Sequence, residues 1–120
     1  MGRTVMIVDD SLFIRKILRG ILAEMGYDIV AEAASGIEAL KQLHASHPDI
    51  ILLDIILPDS NGLHLLGSII SICPKSKIVV CSSIGQEQVI RKSLDLGARA
   101  FIQKPFSPEK ITEALESLGD

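Results

Sequence analysis

Two adjacent carboxylates, Asp9 and Asp10, follow directly on the apolar run "TVMIV", and a third, Asp54, ends a second run in "DIILLD". Further along, "VCSSIG" puts Ser82 and Ser83 at the end of a third run, and "FIQKPF" puts Lys104 at the end of a fourth. Like charges brought together repel, and each is costly to remove from water. Three carboxylates converging on one place need a counter-charge. A hard divalent cation supplies it, and Mg2+ suits one or two carboxylates together with waters and a phosphate. Asp9 and Asp10 are therefore read as holding magnesium, and Asp54 as either a third ligand or a nucleophile, since carboxylates form acyl phosphates. Phosphoryl transfer to such a nucleophile needs in-line positioning and neutralisation of the equatorial oxygens. Magnesium can neutralise one oxygen and Lys104 a second, while the Ser82 hydroxyl with a backbone N–H binds the third.

These residues act together only if the elements carrying them end at one edge. Strand-length runs occur at 4–8, 28–32, 49–53, 77–81 and 100–103, with helical patterns between them. The third and fourth runs are apolar without alternation, as in strands covered on both faces of a parallel sheet. Ile14, Ile17, Leu18, Ile21, Leu22 and Met25 recur at helical spacing, and Gly26 stops that helix. Ser35 and Glu38 form a capping box before the second helix, and Leu63, Leu66, Ile69 and Ile70 mark a third. Val89, Ile90, Leu94 and Leu96 mark a fourth, closed by Gly97. Ser107 and Pro108 open a fifth, with Ile111, Ala114, Leu115 and Leu118 facing inward.

Strict β/α alternation implies a parallel sheet with right-handed crossovers. Five units are too few for a closed barrel, so the fold is an open, doubly wound α/β sheet of flavodoxin-like type, strand order 2-1-3-4-5. In such sheets ligands bind beyond the carboxyl ends of the strands. Strands one, three, four and five deliver Asp9 and Asp10, Asp54, Ser82 and Lys104 to that edge. Strand two ends in Glu32 and Ala33, on the far side, and is expected not to reach the crevice. Singly, each residue has a plain role: Asp10 or Ser11 as a helix cap, Asp54 as a loop start, Ser82 as a small strand-end residue, Lys104 as a solvated charge. Four neighbouring strands ending this way together argue for a site.

Other features narrow the class. The 120 residues make one domain, 48% hydrophobic and only 3% aromatic, so the core is built from Ile, Leu, Val and Ala. A net charge of −3 with scattered basic residues offers no nucleic-acid or membrane surface. No run is long enough to span a bilayer, and "MGRTVMIV" fits neither a signal peptide nor a myristoylation signal. Cys73 and Cys81 lack disulfide or metal spacing and read as reduced, in a cytoplasmic protein. His44, His47 and His64 lack ligand spacing and read as solvated.

From "VMIVDDS" through "DIILLDIILPDSNG" and "IVVCSSIGQ" to "GARAFIQKPF", the chain resembles the receiver domain of two-component response regulators, in its stand-alone, CheY-like chemotaxis form. The resemblance implies one receiver domain over 1–120, a signalling switch whose only chemistry is on itself. It implies that Asp54 accepts a phosphoryl group from a CheA-like sensor histidine kinase. Mg2+ is then held by Asp10 directly, Asp9 directly or through water, Asp54, and the backbone carbonyl of Ile56. Ser82 moves to meet the phosphoryl group, Lys104 pairs with it, and the Lys104–Pro105 bond is cis. Phe101 becomes the aromatic switch, although residue type alone suggests a plain core ring. The face of the fourth helix, fifth strand and fifth helix, with Ile90 and Phe101, meets the target. That target is a flagellar motor switch protein or a histidine phosphotransfer domain, and the protein itself a monomer.

Four positions depart from the family pattern. Ile56 and Ile84 are apolar where members are often polar, and are expected to influence the lifetime of the phosphorylated form. Ser60 stands where Met is common, and Ser82 replaces the commoner Thr. A flavin-binding role lacks the glycine- and hydroxyl-rich phosphate loop after strand one. A magnesium-dependent phosphohydrolase needs an acid two residues after its nucleophile; Ile56 stands there after Asp54, and Leu12 after Asp10. Within the receiver class, a phosphorelay intermediate or a receiver piece of a longer transcriptional regulator remains an alternative.

Overall fold

The structure, a computed structural model, describes residues 3–83 and 87–119. Five parallel strands, β1 (Thr4–Val8), β2 (Asp28–Ala33), β3 (Ile50–Leu53), β4 (Lys77–Ser82) and β5 (Ala100–Gln103), form one sheet in the order 2-1-3-4-5. Five helices connect and follow them: α1 (Leu12–Glu24), α2 (Gly36–Ser46), α3 (Gly62–Ile72), α4 (Glu87–Leu96) and α5 (Pro108–Glu116). A two-residue antiparallel pair, Ile56–Leu57 with Ser60–Asn61, folds the loop after β3 back on itself.

The sheet divides two cores by the two-residue period of a strand. Val5 and Ile7 face one side with Leu18 and Leu22 of α1 and Ile111 and Leu115 of α5. Met6 and Val8 face the other, with Ala39 and Leu43 of α2 and Leu65, Leu66 and Ile69 of α3. All of β3 is buried, which explains its unbroken apolar run. Along α1 the stripe is narrower than the spacing suggested: Leu18 and Leu22 are buried, but Ile17 is 37% exposed. In α4, Leu94 and Leu96 lie at the surface and Ser93 is buried, its hydroxyl donating to the Val89 carbonyl at 2.9 Å.

The helix ends follow their caps. Ser11, Ser35 and Ser107 accept from Ile14 N, Glu38 N and Lys110 N, and Pro108 takes the first helical position. The Glu38 carboxylate reaches back to Ala34 N at 3.4 Å, one residue before the serine that completes a standard capping box. Gly97, at φ +121°, ends α4 against Ile70, and an added Cβ there would lie 2.8 Å from the Ile70 Cδ1. Cys73 and Cys81 are free thiols in the core, and burial pushes the Cys81 thiol up to about 12. Among the described residues, no helix is long and apolar enough to cross a membrane.

Gly62 has the tightest surroundings of the described glycines. A Cβ at Gly62 would sit 1.9 Å from the carbonyl oxygen of Ile55, next to Asp54, whereas one at Gly36 would meet the Ser60 hydroxyl at 2.0 Å. A backbone carbonyl cannot yield as a side-chain hydroxyl can. Gly62→Ala is therefore expected to destabilise by about 3 kcal/mol, the upper end for overpacking, and Gly36→Ala by less. Urea unfolding of the two variants checks the order; equal losses would contradict it.

Candidate functional site

The carboxyl ends of β1, β3, β4 and β5 meet as expected. Asp9 is one residue past β1, its N–H donating to Ala33 O at 3.0 Å, and Asp54 is one past β3, its N–H donating to Val8 O at 2.9 Å. Both side chains are thereby carried to the edge by the sheet's own ladder, and both residues are buried, 1% and 5% exposed. Ser82 closes β4 fully buried, and its carbonyl accepts from Lys104 N at 2.8 Å.

Lys104 crosses the crevice. Its ammonium donates to Asp9 Oδ2 at 2.6 Å and to Asp54 Oδ2 at 2.9 Å, so it bridges the two buried carboxylates. Their second oxygens are also used: Asp9 Oδ1 accepts from Ser11 N at 2.9 Å, and Asp54 Oδ1 from Ile56 N at 2.8 Å. Burial raises Asp54 above the ordinary carboxyl range, against the opposing hydrogen bonds from Ile56 N and Lys104. Burial by itself pulls the Lys104 ammonium down, but its bonds to Asp9 and Asp54 outweigh that and leave it raised. Asp10 is exposed, and helix capping falls to its neighbour Ser11.

One ligand oxygen from each of Asp9, Asp10 and Asp54 lies within 4.8 Å of the others. Three carboxylates against one ammonium leave an excess of negative charge, and all the donors are hard oxygens. That chemistry fits a magnesium ion better than a softer metal. Ile56 is 44% exposed beside this group, and Ile84 lies outside the described residues. The Lys104–Pro105 bond is cis. Phe101 is half-buried on β5, packed against the core under α3 and α4, and lines a groove of about 660 Å³ with Ile90, Lys110 and Ala114.

A model of the response regulator receiver domain matches residues 5–116. The chain belongs to the response regulator receiver domain family. This receiver is 40% identical to the chemotaxis protein CheY of Thermotoga maritima over 119 residues, 99% of each chain. It is 39% identical to the chemotaxis protein CheY of Listeria monocytogenes over 111 residues, 92% of this chain and 93% of that one. A crystal structure of the CheX–CheY–BeF3–Mg2+ complex from Borrelia burgdorferi superposes with a TM-score of 0.90 at 34% identity, covering 97% of this chain and 88% of that one. The receiver is thus of the CheY type.

Two contacts around the receiver's acid cluster were not anticipated. Glu32, set aside as too distant, pairs with Arg15 Nε at 3.1 Å, and Arg15 Nη1 donates to the Asp9 carbonyl at 2.6 Å. Glu32 stays outside the acid cluster, as expected of the outer strand, but is linked to the Asp9 backbone through one arginine. Asp59, in the loop after Asp54, accepts from Gly36 N at 2.9 Å and Ile37 N at 3.1 Å, and these bonds hold its carboxyl below the usual range. The signal for Glu32 was a polar residue near a strand end. Asp59 had none beyond its loop composition.

Proposed function

We propose that this receiver is a phosphorylation-activated switch in chemotaxis, with Asp54 as the phosphoacceptor. The observation that carries the reading is the buried Asp54 carboxylate, within reach of both the Lys104 ammonium and the Asp9–Asp10 pair. Asp9, Asp10, Asp54 and the Ile56 carbonyl would hold Mg2+, which when bound neutralises oxygens of the incoming phosphoryl group. A carboxylate oxygen of Asp54 forms the new bond to phosphorus. The bond from phosphorus to the imidazole nitrogen of the kinase's phosphohistidine breaks, and that nitrogen takes the electron pair. Lys104, already at 2.9 Å from Asp54 Oδ2, keeps a phosphoryl oxygen on Asp54 within reach. Ser82, at the end of the adjoining strand, supplies a hydroxyl to another oxygen.

Output follows from differential contact. A phosphoryl group that Ser82 and Lys104 bind better in one arrangement shifts the population toward it. Phe101 then turns inward, and the α4–β5–α5 face, with Ile90, meets a flagellar motor switch protein or a histidine phosphotransfer domain. The CheY relatives support the chemotaxis setting and, with it, a histidine kinase as donor; the CheA-like identity of that kinase and a cytoplasmic monomer are part of the proposal. Ile56 in place of an acid supports a receiver that turns over only its own phosphoryl group.

Incubation with acetyl phosphate and Mg2+, followed by intact mass, tests the reading. One phosphoryl group should be gained, mapped to the peptide holding Asp54, and prevented by a chelator. Gain without magnesium, or at another residue, would overturn it. For the switch, Phe101→Ala should reduce the ratio of target affinities with and without phosphorylation by about tenfold, the size of a typical allosteric coupling. An unchanged ratio would make Phe101 a core residue alone.

A further inference from the structure

Asp9 is anchored at every polar atom: N–H to Ala33 O, Oδ1 to Ser11 N, Oδ2 to Lys104, and the carbonyl to Arg15. Asp10 follows it with an exposed side chain, so its direction depends on the backbone before it. That backbone is the Asp9–Asp10 peptide, and the bond from Arg15 Nη1 to the Asp9 carbonyl, 2.6 Å, sets its plane. Arg15 cannot drift, because its Nε is held by Glu32 at 3.1 Å and its side chain is only 14% exposed. Glu32 is held in turn, its other oxygen in an ion pair with Arg19 Nε at 3.1 Å and its backbone carbonyl accepting from Gln42 Nε2 at 2.8 Å. The chain of contacts runs from β2 through α1 to the acid loop.

We infer that Arg15, steadied by Glu32, is a positioning residue for magnesium: it orients the Asp9–Asp10 peptide so that the Asp10 carboxylate faces Asp54. The inference rests on the magnesium reading given above. A guanidinium is suited to this because its planar fork serves two acceptors at fixed angles, which a single ammonium does not. Its charge opposes cation binding, and the Glu32 carboxylate offsets that charge. The two effects have opposite signs in a variant. If Arg15 were only a nearby positive charge, its removal would tighten magnesium binding.

Calorimetric titration of the full chain with MgCl2 alone, without phosphodonor, separates these. Arg15→Met should weaken Mg2+ binding about tenfold, the lower end for loss of a group that orients a metal ligand. Arg15→Lys should be weakened similarly, since an ammonium lacks the planar fork that holds Glu32 and the Asp9 carbonyl at fixed angles to each other. Glu32→Gln, which keeps the acceptor and removes the charge, should lose less, and its loss should shrink with added KCl. Arg19→Met removes one contact on Glu32 and none on Asp9, and should weaken binding less than Arg15→Met. Unchanged or tighter binding by Arg15→Met, or full rescue by Arg15→Lys, would overturn the inference while leaving the magnesium site standing. Failure of the wild type to take up Mg2+ would overturn both. Should Arg15→Met lose cooperative melting, Arg15→Lys and Glu32→Gln carry the same decision.

Discussion

Asp54→Asn is expected to abolish phosphoryl gain from acetyl phosphate, by about a thousandfold or more, because a neutral amide is no nucleophile toward phosphorus. The variant should nevertheless fold. Asn keeps the side-chain shape and can still accept from Ile56 N, now made at 2.8 Å by Asp54 Oδ1. It loses the bond to Lys104, while removal of a buried charge offsets that loss. Stability should therefore stay within about 1 kcal/mol of wild type. The pH dependence gives an independent check. Burial raises Asp54 from the ordinary 3.8, so its protonated form is favoured in the folded protein. That contribution is fully present below pH 3.8 and is lost as pH rises through the raised value. The metal-free wild type should gain stability relative to Asp54→Asn as pH falls across that window. Phosphoryl gain by the variant would remove Asp54 from the role of acceptor, and a parallel pH profile would contradict the burial argument.

Lys104→Met should destabilise the magnesium-free protein by about 3–5 kcal/mol near neutral pH, the cost of leaving a buried charge without its partner. The stem is kept, but Asp9 and Asp54 lose the ammonium they share at 2.6 and 2.9 Å. Lys104 is raised above its ordinary 10.5, so its contribution is complete below pH 10.5 and lost as pH rises through the raised value. The gap between wild type and variant should thus be full at neutral pH and close only in strong alkali. Saturating MgCl2 should restore much of the variant's stability, because a divalent cation binds the folded state alone. Urea unfolding with chelator and with MgCl2 measures this. A gap below about 1 kcal/mol, or one that magnesium leaves unchanged, would show that the bridge contributes little, as exposed ion pairs often do.

The two predictions describe the same arrangement with different cations. Without metal, the Lys104 ammonium offsets the crowding of Asp9 and Asp54, helped by the N–H groups of Ser11 and Ile56. On the proposed function, magnesium would carry part of that charge and leave the ammonium available to a phosphoryl oxygen. Arg15 and Asp59 act at a distance from this exchange, one fixing the peptide before Asp10 and the other fastening the loop after Asp54 to the start of α2.

The sequence by itself determined the elements, the strand order and the main acid, hydroxyl and ammonium groups at the edge. Strands and helices follow from short-range periodicity, and the strand-end rule turns Asp9, Asp54, Ser82 and Lys104 into neighbours without knowledge of any side-chain angle. Ser35 and Ser107 were legible as caps for the same reason, each acting on an N–H three residues away, whereas the structure chose Ser11 over Asp10 for the first helix. Only the tertiary structure decided which side chains pair. Lys104 lies 95 positions from Asp9, Arg15 lies 17 from Glu32, and Asp59 lies 23 from Gly36. No local pattern encodes such distances. Whether Glu32 is remote or connected depends on one arginine stem crossing from α1 to β2, which in turn depends on how closely the helix packs on the sheet. Periodicity fixes the face a residue occupies; the packing of those faces fixes what it touches.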